Sequence, residues 1–401
     1  MSIAPEWLSD EGMHTLSAGY LLPGETPHAM FTRVAKTAAS INDDISLEQD
    51  LFTCLWNGWI GLASPVAANF GTSRALPISC YSVHLSDSVS SIYSHLKEVA
   101  QLSKNGGGVG VYMGDVRPAG APISGGGKST GIVPWAQQYD LCARVVSQGG
   151  VRRGSFAIYL PIDHPDVPEL LRAKDHSKGD PRKFVDSNVA LTVTDEWIES
   201  MLAGDSIKQE LFGEVMKTRL LSGSPYLVYI DNANKQNPQC YVDRGLSVKT
   251  SNLCSEIFLH TDENHSFVCV LSSLNLARYD EFRSWVSPSG RTVPQLAIHL
   301  LDAVVSEFIR KSQHRVGLGR AVKFAEKSRA LGLGTMGLHT LYQKRGLPFK
   351  SEGARSLNVE CHKWIREQSE IASRELATRF GEPEWCVGSG RRHTHLIAIA
   401  P

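Results

Sequence analysis

Residues 251–257 read Ser-Asn-Leu-Cys-Ser-Glu-Ile, and this stretch decides how the rest of the chain is interpreted. On an extended segment successive side chains alternate between two faces, so Asn252, Cys254 and Glu256 would point to one side. An amide, a thiol and a carboxylate on one face form a chemically useful set, since a general base and a hydrogen-bonding group can serve a reacting thiol. Taken alone, a cysteine is more often an inert buried residue, so the motif needs support from its surroundings.

Outward from this stretch, short β-rich runs alternate with helical runs from about residue 76 onward. The predicted strands lie at 78–85, 109–112, 156–160, 189–193, 225–230, 256–259, 267–271 and 396–400. The predicted helices lie at 89–103, 134–146, 294–313 and 353–379, and residues 25–62 carry helical periodicity before them. This alternation predicts an α/β fold with a largely parallel sheet or barrel, preceded by a small helical region.

Composition excludes several classes of protein. The 401 residues include 41 Lys plus Arg and 41 Asp plus Glu, so no net charge would hold the chain on DNA or on an anionic membrane. The first residues lack the pattern of a signal peptide, and no apolar run is long enough to span a bilayer. We therefore expect a cytoplasmic protein, or one in the host cytoplasm if a phage encodes it, with no direct DNA binding.

The cysteines and glycines exclude some familiar sites. The eight cysteines contain no C-x-x-C pair, and no metal ligands are assigned. Residues 332–337 spell Gly-x-Gly-x-x-Gly, but no clear strand precedes them, so a dinucleotide site is not predicted. Residues 127–129 resemble the end of a P-loop, yet Pro122 occupies the required glycine position. The glycine-rich loops at 105–110 and 147–154 could approach phosphate closely or could simply be tight turns.

The stretch at 252–257 resembles the finger-loop motif of ribonucleotide reductase catalytic subunits. Further motifs follow the order of that family from about residue 15 to the end of the chain. They are Ser64-Pro65, Leu76-Pro77-Ile78-Ser79-Cys80, Asp87-Ser88 with the loop through Arg117, residues 147–152, Cys269 with Leu271 and Ser272, and the glycines at 332–337, where the family has a glycine-bearing helical segment.

The resemblance implies a ten-stranded α/β barrel of two antiparallel halves, with a central finger loop near residues 250–258. Residues 1–75 would form an N-terminal helical region without the family's ATP cone, and residues 76–401 a barrel that is incomplete at its C-terminus. We expect a complementary C-terminal catalytic chain to supply the remaining strands, so that this polypeptide is part of a split subunit.

The resemblance also implies the roles of individual residues. Cys254 would be the transient thiyl radical, Glu256 the general base and Asn252 a hydrogen-bonding partner of the sugar. Cys80 and Cys269 would supply two electrons by forming a disulfide. Substrate-binding positions would be Ser64, Ser79, Gly107, Gly108, Asn252 and Glu256.

Control and partners follow from the same resemblance. Asp87, Ser88 and Arg117 would bind a nucleotide effector, either a deoxynucleoside triphosphate or ATP, while Gln148 and Arg152 lie on a specificity loop. The substrate would be a ribonucleotide, in the first instance a diphosphate, and thioredoxin or glutaredoxin would be the reductant. The catalytic units would form a dimer.

The chain would bind no cofactor itself, and a class I small subunit, with a metal centre, would provide the radical. The sequence Asn-Leu-Cys-Ser-Glu resembles the class I motif and favours class I over class II, whose motif has Pro-Cys-Gly. An adenosylcobalamin-dependent class II enzyme and a catalytically inactive nucleotide-binding or regulatory fragment remain as alternatives.

Overall fold

The computed structural model describes residues 4–146, 154–174 and 186–399. The described strands are β1 (Ile60–Leu62), β2 (Cys80–His84), β3 (Gly108–Tyr112), β4 (Pro122–Ile123), β5 (Gly127–Lys128), β6 (Ser155–Pro161), β7 (Asn188–Val193), β8 (Tyr226–Tyr229), β9 (Phe267–Asn275) and β10 (Leu331–Met336). The described α-helices are α1 (Asp10–Thr15), α2 (Pro27–Ile41), α3 (Ser46–Trp56), α4 (Ser64–Asn69), α5 (Val89–Lys104), α6 (Ile132–Val146), α7 (Val167–Lys174), α8 (Asp195–Leu202), α9 (Ser206–Ser222), α10 (Ile230–Lys235), α11 (Gln239–Val242), α12 (Tyr279–Arg283), α13 (Val293–Ser312), α14 (Gly319–Ser328), α15 (Leu338–Lys344) and α16 (Glu352–Phe380).

The chain divides into two units. The first unit contains Met1–Ser79, Cys269–Arg315 and Phe324–Pro401, and the second contains Cys80–Val268 and Val316–Lys323. Most of the second unit therefore comes from one continuous segment in the middle of the sequence.

A parallel sheet forms the centre of the second unit. Its strands lie in the order β2-β3-β6-β7-β8, and every neighbouring pair is parallel. The middle strands β6 and β7 are almost continuously apolar and buried, as expected for a sheet covered on both faces. Ser88 begins α5 by accepting a hydrogen bond from the Ser91 N–H at 3.1 Å. The predicted parallel α/β architecture is confirmed in this unit.

Helices dominate the first unit. The long helix α13 packs against α2, α3 and α16 and is buried on nearly all sides. Its buried residues are mostly apolar, and they include the charged residues Asp302 and Glu307. A small sheet accompanies these helices, in which β9 pairs antiparallel with β1 and parallel with β10.

Three local predictions differ from the structure. Residues 60–62 form β1 and do not continue a helix. Residues 256–259 form no strand, because the Asn252 and Ser251 side chains take up backbone groups of Glu256 and Ile257. Gly332 and Gly334 do not lie in a helix, since residues 331–336 form β10, and Gly337 lies directly before α15.

Close packing against β9 explains why residue 332 of β10 is a glycine. A Cβ atom there would lie 2.4 Å from Leu271 Cδ2 and 3.1 Å from Cys269 Sγ, both on β9. The glycine therefore allows two parallel strands to pack closely. At the end of the described chain, Ile397 forms a single parallel bridge with Leu333, so residues 396–398 lie beside β10 without forming a full strand.

Candidate active site

The finger loop at residues 250–258 lies on the apolar face of the parallel sheet in the second unit. Leu253 and Phe258 pack against this face and anchor the loop. The buried side chains of this core cluster are Tyr112, Ala157, Tyr159, Ala190 and Val228 on the strands, with Ile230 at the start of α10 and Val248 before the loop.

Glycines on β3 let the backbone of the loop approach the sheet. A Cβ atom on Gly110 would lie 1.9 Å from the carbonyl oxygen of Ser251, which is closer than any real contact. A Cβ atom on Gly108 would lie 2.8 Å from Leu253 Cδ2. Gly107 instead faces Tyr81 and the Leu102 carbonyl. Of the two predicted substrate-binding glycines, Gly108 therefore lies against the finger loop and Gly107 belongs to a tight turn.

Asn252 holds the loop closed. Its side chain is fully buried, and its Nδ2 donates a hydrogen bond to Glu256 Oε1 at 2.9 Å. Its Oδ1 accepts hydrogen bonds from the backbone N–H groups of Glu256 at 3.2 Å and Ile257 at 3.1 Å. Asn252 thus fixes both the backbone and the carboxylate of the predicted general base.

The segment is not extended, so the predicted alternation is wrong. The Ser255 N–H donates to the Asn252 carbonyl at 3.2 Å, and Ser255 has a φ of 63°, which makes a turn over residues 253–255. Asn252 and Glu256 still meet, because the turn brings them together. Cys254 lies on this turn with its side chain exposed.

Tyr159 on β6 supports the turn from below. Its hydroxyl donates to the Asn252 carbonyl at 2.5 Å and lies 2.6 Å from Ser255 Oγ. Burial raises the pKa of Tyr159 far above its ordinary value, so the phenol stays neutral and keeps its proton for this contact. Burial also raises the pKa of Tyr226, and the neighbouring Cys254 adds to this effect.

The two carboxylate oxygens of Glu256 differ in their hydrogen bonding. Oε1 accepts the hydrogen bond from Asn252, whereas Oε2 is buried and accepts none within the part of the chain that the structure describes. Buried polar atoms are normally satisfied, so such an atom in a loop beside an exposed thiol requires an explanation. A hydroxyl group of a bound substrate would satisfy it.

A charged group lies where the finger loop begins. His84 Nε2 lies 2.6 Å from Asp115 Oδ2, and Lys249 Nζ lies 3.3 Å from the same oxygen. Partial burial of Asp115 opposes ionisation, but the hydrogen bond to His84 and the charge of Lys249 hold its pKa below the ordinary value. This ion pair links the end of β2 to the start of the finger loop.

The two predicted redox cysteines occupy different units. Cys80 begins β2 in the second unit, is partly exposed and lies opposite Gly108 in the parallel register. Cys269 is buried on β9 in the first unit. All eight cysteines are thiols, and the pairing of Cys80 with Cys269 stays a prediction.

The structure brings two of the predicted effector residues together. Arg117 Nε donates to Asp87 Oδ2 at 2.7 Å, and the Arg117 backbone N–H donates to Asp87 Oδ1 at 3.2 Å. The neighbouring Ser88 caps α5. Gln148 and Arg152 fall outside the described residues.

The remaining predicted substrate residues lie in the first unit. Ser64 is the first residue of α4, and its Oγ lies 3.0 Å from the Tyr20 hydroxyl. Ser79 is buried directly before β2. The structure thus brings Asn252, Cys254, Glu256 and Gly108 together at the finger loop in the second unit. Ser64 and Ser79 belong to the first unit.

Sequence reasoning did not assign Tyr159, Gly110 or the His84–Asp115–Lys249 group. Gly110 was visible as the end of the glycine-rich run at 105–110, but its role depends on which backbone passes over it. Nothing in the local sequence distinguishes Tyr159 from the other apolar residues of β6.

Comparison with known families defines the class of protein. The model of the ribonucleotide reductase barrel domain matches residues 78–209 and 206–394, and the model of the ribonucleotide reductase all-alpha domain matches residues 6–75. The chain belongs to the ribonucleotide reductase large-subunit family. The predicted family and fold class are confirmed.

Individual relatives agree with this assignment. The chain is 33% identical to the putative ribonucleoside-diphosphate reductase large subunit of Frog virus 3, over 86% of this chain and 61% of the relative. It is 30% identical to the vitamin B12-dependent ribonucleoside-diphosphate reductase of Mycobacterium tuberculosis (strain CDC 1551 / Oshkosh), over 84% of this chain and 50% of the relative. The match therefore spans between half and about three fifths of the length of these relatives.

A solved structure shows the same fold. The Actinobacillus ureae class Id ribonucleotide reductase alpha subunit superimposes with a TM-score of 0.91 at 38% identity. The match covers 99% of this chain and 72% of that subunit. Among the described residues, no helix is long and apolar enough to cross a membrane.

Proposed function

We propose that this chain contributes the finger loop and the effector site of an enzyme that reduces ribonucleoside diphosphates to deoxyribonucleotides through a thiyl radical at Cys254. The observation that carries the proposal is the loop itself. It combines the exposed thiol of Cys254, the carboxylate of Glu256 and the buried amide of Asn252. The amide holds one carboxylate oxygen by a hydrogen bond, and the other oxygen accepts none among the described residues.

The chemistry needs each of these groups. A thiyl radical at Cys254 removes the hydrogen atom from C3′ of the ribose, and Glu256 accepts the proton of the 3′-OH through Oε2. The 2′-OH then leaves as water with a proton from one of two thiols, and the two thiols supply the second proton and the two electrons that reduce C2′. Glu256 returns its proton to the 3′ oxygen and Cys254 returns the hydrogen atom to C3′, which regenerates the thiyl radical. Cys80 and Cys269 are the proposed thiols, which become a disulfide that thioredoxin or glutaredoxin reopens.

Asn252 and Tyr159 act on the geometry of this site. Asn252 holds Oε1 of Glu256, which directs Oε2 away from the protein amide. Tyr159 fixes the carbonyl of Asn252 and the hydroxyl of Ser255, and so limits how far Cys254 can move. A reacting group must be held within a fraction of an ångström of its productive position for proton transfer to be efficient.

The radical itself must come from outside these residues, because amino acids alone do not make a stable oxidant. We propose a class I small subunit as its source, in keeping with the relatives named as large subunits. The similarity to a vitamin B12-dependent enzyme makes adenosylcobalamin the alternative to test. The proposed effector is a nucleotide bound near the Asp87–Arg117 pair, where a partly exposed guanidinium and the first turn of α5 can receive phosphate.

The test is a reduction assay with a Glu256→Gln variant. The chain is combined with a polypeptide that covers the rest of the large subunit, with a small subunit or with adenosylcobalamin, and with a dithiol. Loss of a general base costs about 10²–10⁴-fold in rate, so we expect kcat to fall by that factor while nucleotide binding persists. Glu210→Gln, at an exposed position on α9, is the matched control and should leave kcat unchanged.

Two results would contradict the proposal. The first is a parental kcat in Glu256→Gln, which would remove the carboxylate from the reaction. The second is nucleotide binding without reduction in every combination, which would favour an inactive nucleotide-binding fragment.

A further inference from the structure

A turn that follows the finger loop brings two histidines and an aspartate together. His260 Nε2 lies 3.1 Å from Asp262 Oδ2, and His265 Nδ1 lies 3.0 Å from Asp262 Oδ1. One ligand atom from each of the three residues lies within 4.8 Å of the other two. None of these residues has a part in the reaction proposed above.

The hydrogen bonding of His260 fixes which nitrogen carries a lone pair. Nδ1 lies 2.8 Å from the carbonyl oxygen of Ser247, which can only accept a hydrogen bond, so Nδ1 carries the proton. In the neutral ring Nε2 then presents its lone pair to the carboxylate of Asp262. Metal-binding histidines characteristically donate their other nitrogen to a carbonyl or carboxylate in this way.

His260 Nε2 and Asp262 Oδ2, 3.1 Å apart, are then two facing acceptors, which repel each other unless a positive charge lies between them. His265 Nδ1 faces both carboxylate oxygens of Asp262, at 3.0 and 3.2 Å. Asp262 Oδ1 also accepts the backbone N–H groups of Asn264 and His265, each at 2.8 Å.

We propose that His260, Asp262 and His265 bind one divalent transition-metal ion, with Zn²⁺ as the expected occupant. Two imidazole nitrogens and one carboxylate are a donor set that Zn²⁺ accepts, and three protein ligands leave a fourth position for water. The other source of positive charge is a proton on one or both rings, which would make the group an ion-pair cluster without a metal.

The place of the site in the second unit suggests what the metal would stabilise. His260 follows the finger loop by two residues, and its backbone N–H donates to the Tyr241 hydroxyl at 3.3 Å. On the same turn, Glu263 Oε2 accepts a hydrogen bond from Ser86 Oγ at 2.9 Å. Ser86 directly precedes the proposed effector residue Asp87. A metal at this turn would therefore stiffen the segment between the finger loop and the effector region.

The test uses two titrations of the metal-free full chain. Calorimetry measures the binding of Zn²⁺ alone, and visible absorption spectroscopy measures the binding of Co²⁺. We expect one Zn²⁺ per chain, an increase in melting temperature and the absorption bands of low-coordinate Co²⁺. Binding should weaken as the pH is lowered through the range in which imidazoles protonate, because the ligands must be deprotonated.

Variants identify the ligands. His265→Gln and Asp262→Asn should each weaken Zn²⁺ binding by more than about 100-fold, because even the loss of a residue that only supports a ligand costs about 10-fold to 100-fold. His314→Gln, at an exposed histidine, should bind Zn²⁺ like the parent. Circular dichroism establishes that each variant is folded.

The proposal would be overturned if the parental chain showed neither stoichiometric Zn²⁺ binding nor a Co²⁺ spectrum. The positive charge between the three side chains would then come from a proton. Binding that survives in both ligand variants would overturn it as well. Reduction activity is not part of these readouts, so the result is independent of the proposed enzyme function.

Discussion

At the scale of single residues, the candidate site depends on a close approach between two backbones. Gly110 lies on β3 directly beneath the carbonyl group of Ser251. No side chain fits between them, so the glycine determines the height of the finger loop above the sheet. The position of Cys254 depends on that height.

Replacing Gly110 with alanine should therefore displace the finger loop. Overpacking of a well-packed interior costs about 1–3 kcal/mol, and we expect a loss of this size in Gly110→Ala together with a large loss of reduction activity. The free energy of unfolding from denaturant titration checks the first effect. Gly213→Ala on α9, where a Cβ atom meets nothing within 4 Å, should be neutral or stabilising. Equal stability of both variants would contradict the close approach.

The same scale shows why the geometry predicted from sequence for the candidate residues is wrong. The sequence shows which chemical groups Asn252, Cys254 and Glu256 carry. The extended conformation predicted for them is not the one that the structure has. Asparagine can bond to nearby backbone groups and so replace regular structure by a turn. Asn252 does this with Glu256 and Ile257, and propensities along the strand give no warning of it.

At the scale of elements, α13 is anchored by a buried charge. Asp302 on this helix accepts hydrogen bonds from Arg329 Nε at 2.7 Å and Arg392 Nε at 3.1 Å, and lies 2.9 Å from His393 Nε2. Asp302, Arg329 and His393 are all buried. The carboxylate thus connects α13 to the segments that flank β10 within the first unit.

Asp302→Asn should strongly destabilise the first unit. Removing one partner of a buried ion pair leaves uncompensated charge and costs about 3–5 kcal/mol. Glu384→Gln tests an exposed pair, since Glu384 Oε1 lies 2.9 Å from Lys327 Nζ, and should cost less than about 1 kcal/mol. Thermal and denaturant unfolding measure both variants. A similar small loss in each would show that Asp302 does not anchor the helix.

Elements with continuous patterns were the most predictable from sequence. The apolar runs of β6 and β7 and the periodic helices α5 and α16 were found close to their observed bounds. By contrast, β10 contains Gly332 and Gly334, which strands usually avoid. It pairs with β9, whose Leu271 and Cys269 lie about 60 residues away in sequence and fill the space that a side chain at position 332 would need.

At the scale of the whole molecule, buried histidines make stability depend on pH. Burial, reinforced by the charge of Arg320, lowers the pKa of His95 to about 4. Burial also lowers the pKa of His393 to about 4, against the opposing effect of Asp302. In the unfolded chain both would titrate near the ordinary value of about 6.5.

The sign of the effect follows from these directions. Between about pH 6.5 and pH 4 the unfolded chain binds protons that the folded chain does not, so stability falls as the pH falls. Each histidine contributes about 1.4 kcal/mol per pH unit in that range. The pKa of Asp302, held far below its usual range by the neighbouring arginines and His393 despite burial, adds a further loss below about pH 4.

Unfolding free energies measured from pH 7 to pH 4.5 test this account. His95→Gln should reduce the slope of the unfolding free energy against pH by about 1.4 kcal/mol per pH unit, which corresponds to one proton. His314→Gln, at an exposed site, should leave this slope unchanged. A flat profile in the parent, or an unchanged slope in His95→Gln, would show that His95 titrates normally in the folded chain.

The parallel sheet could be predicted because strands and helices alternate along the chain, and the family because several motifs occur in one order. The redox pairing of Cys80 and Cys269 could not be derived in the same way. The two residues are separated by most of the barrel segment and belong to different units, so local patterns contain no information about their distance.

The central claim is that Cys254 carries the radical chemistry. The most direct test is a single turnover of the completed enzyme, in which deoxynucleotide is counted per chain for the parent, Cys254→Ser and Cys142→Ser. A serine hydroxyl is a much poorer hydrogen-atom carrier than a thiol, so Cys254→Ser should bind nucleotide normally and form no product. Cys142→Ser on α6 should match the parent. Product formation by Cys254→Ser at the parental amplitude would contradict the claim.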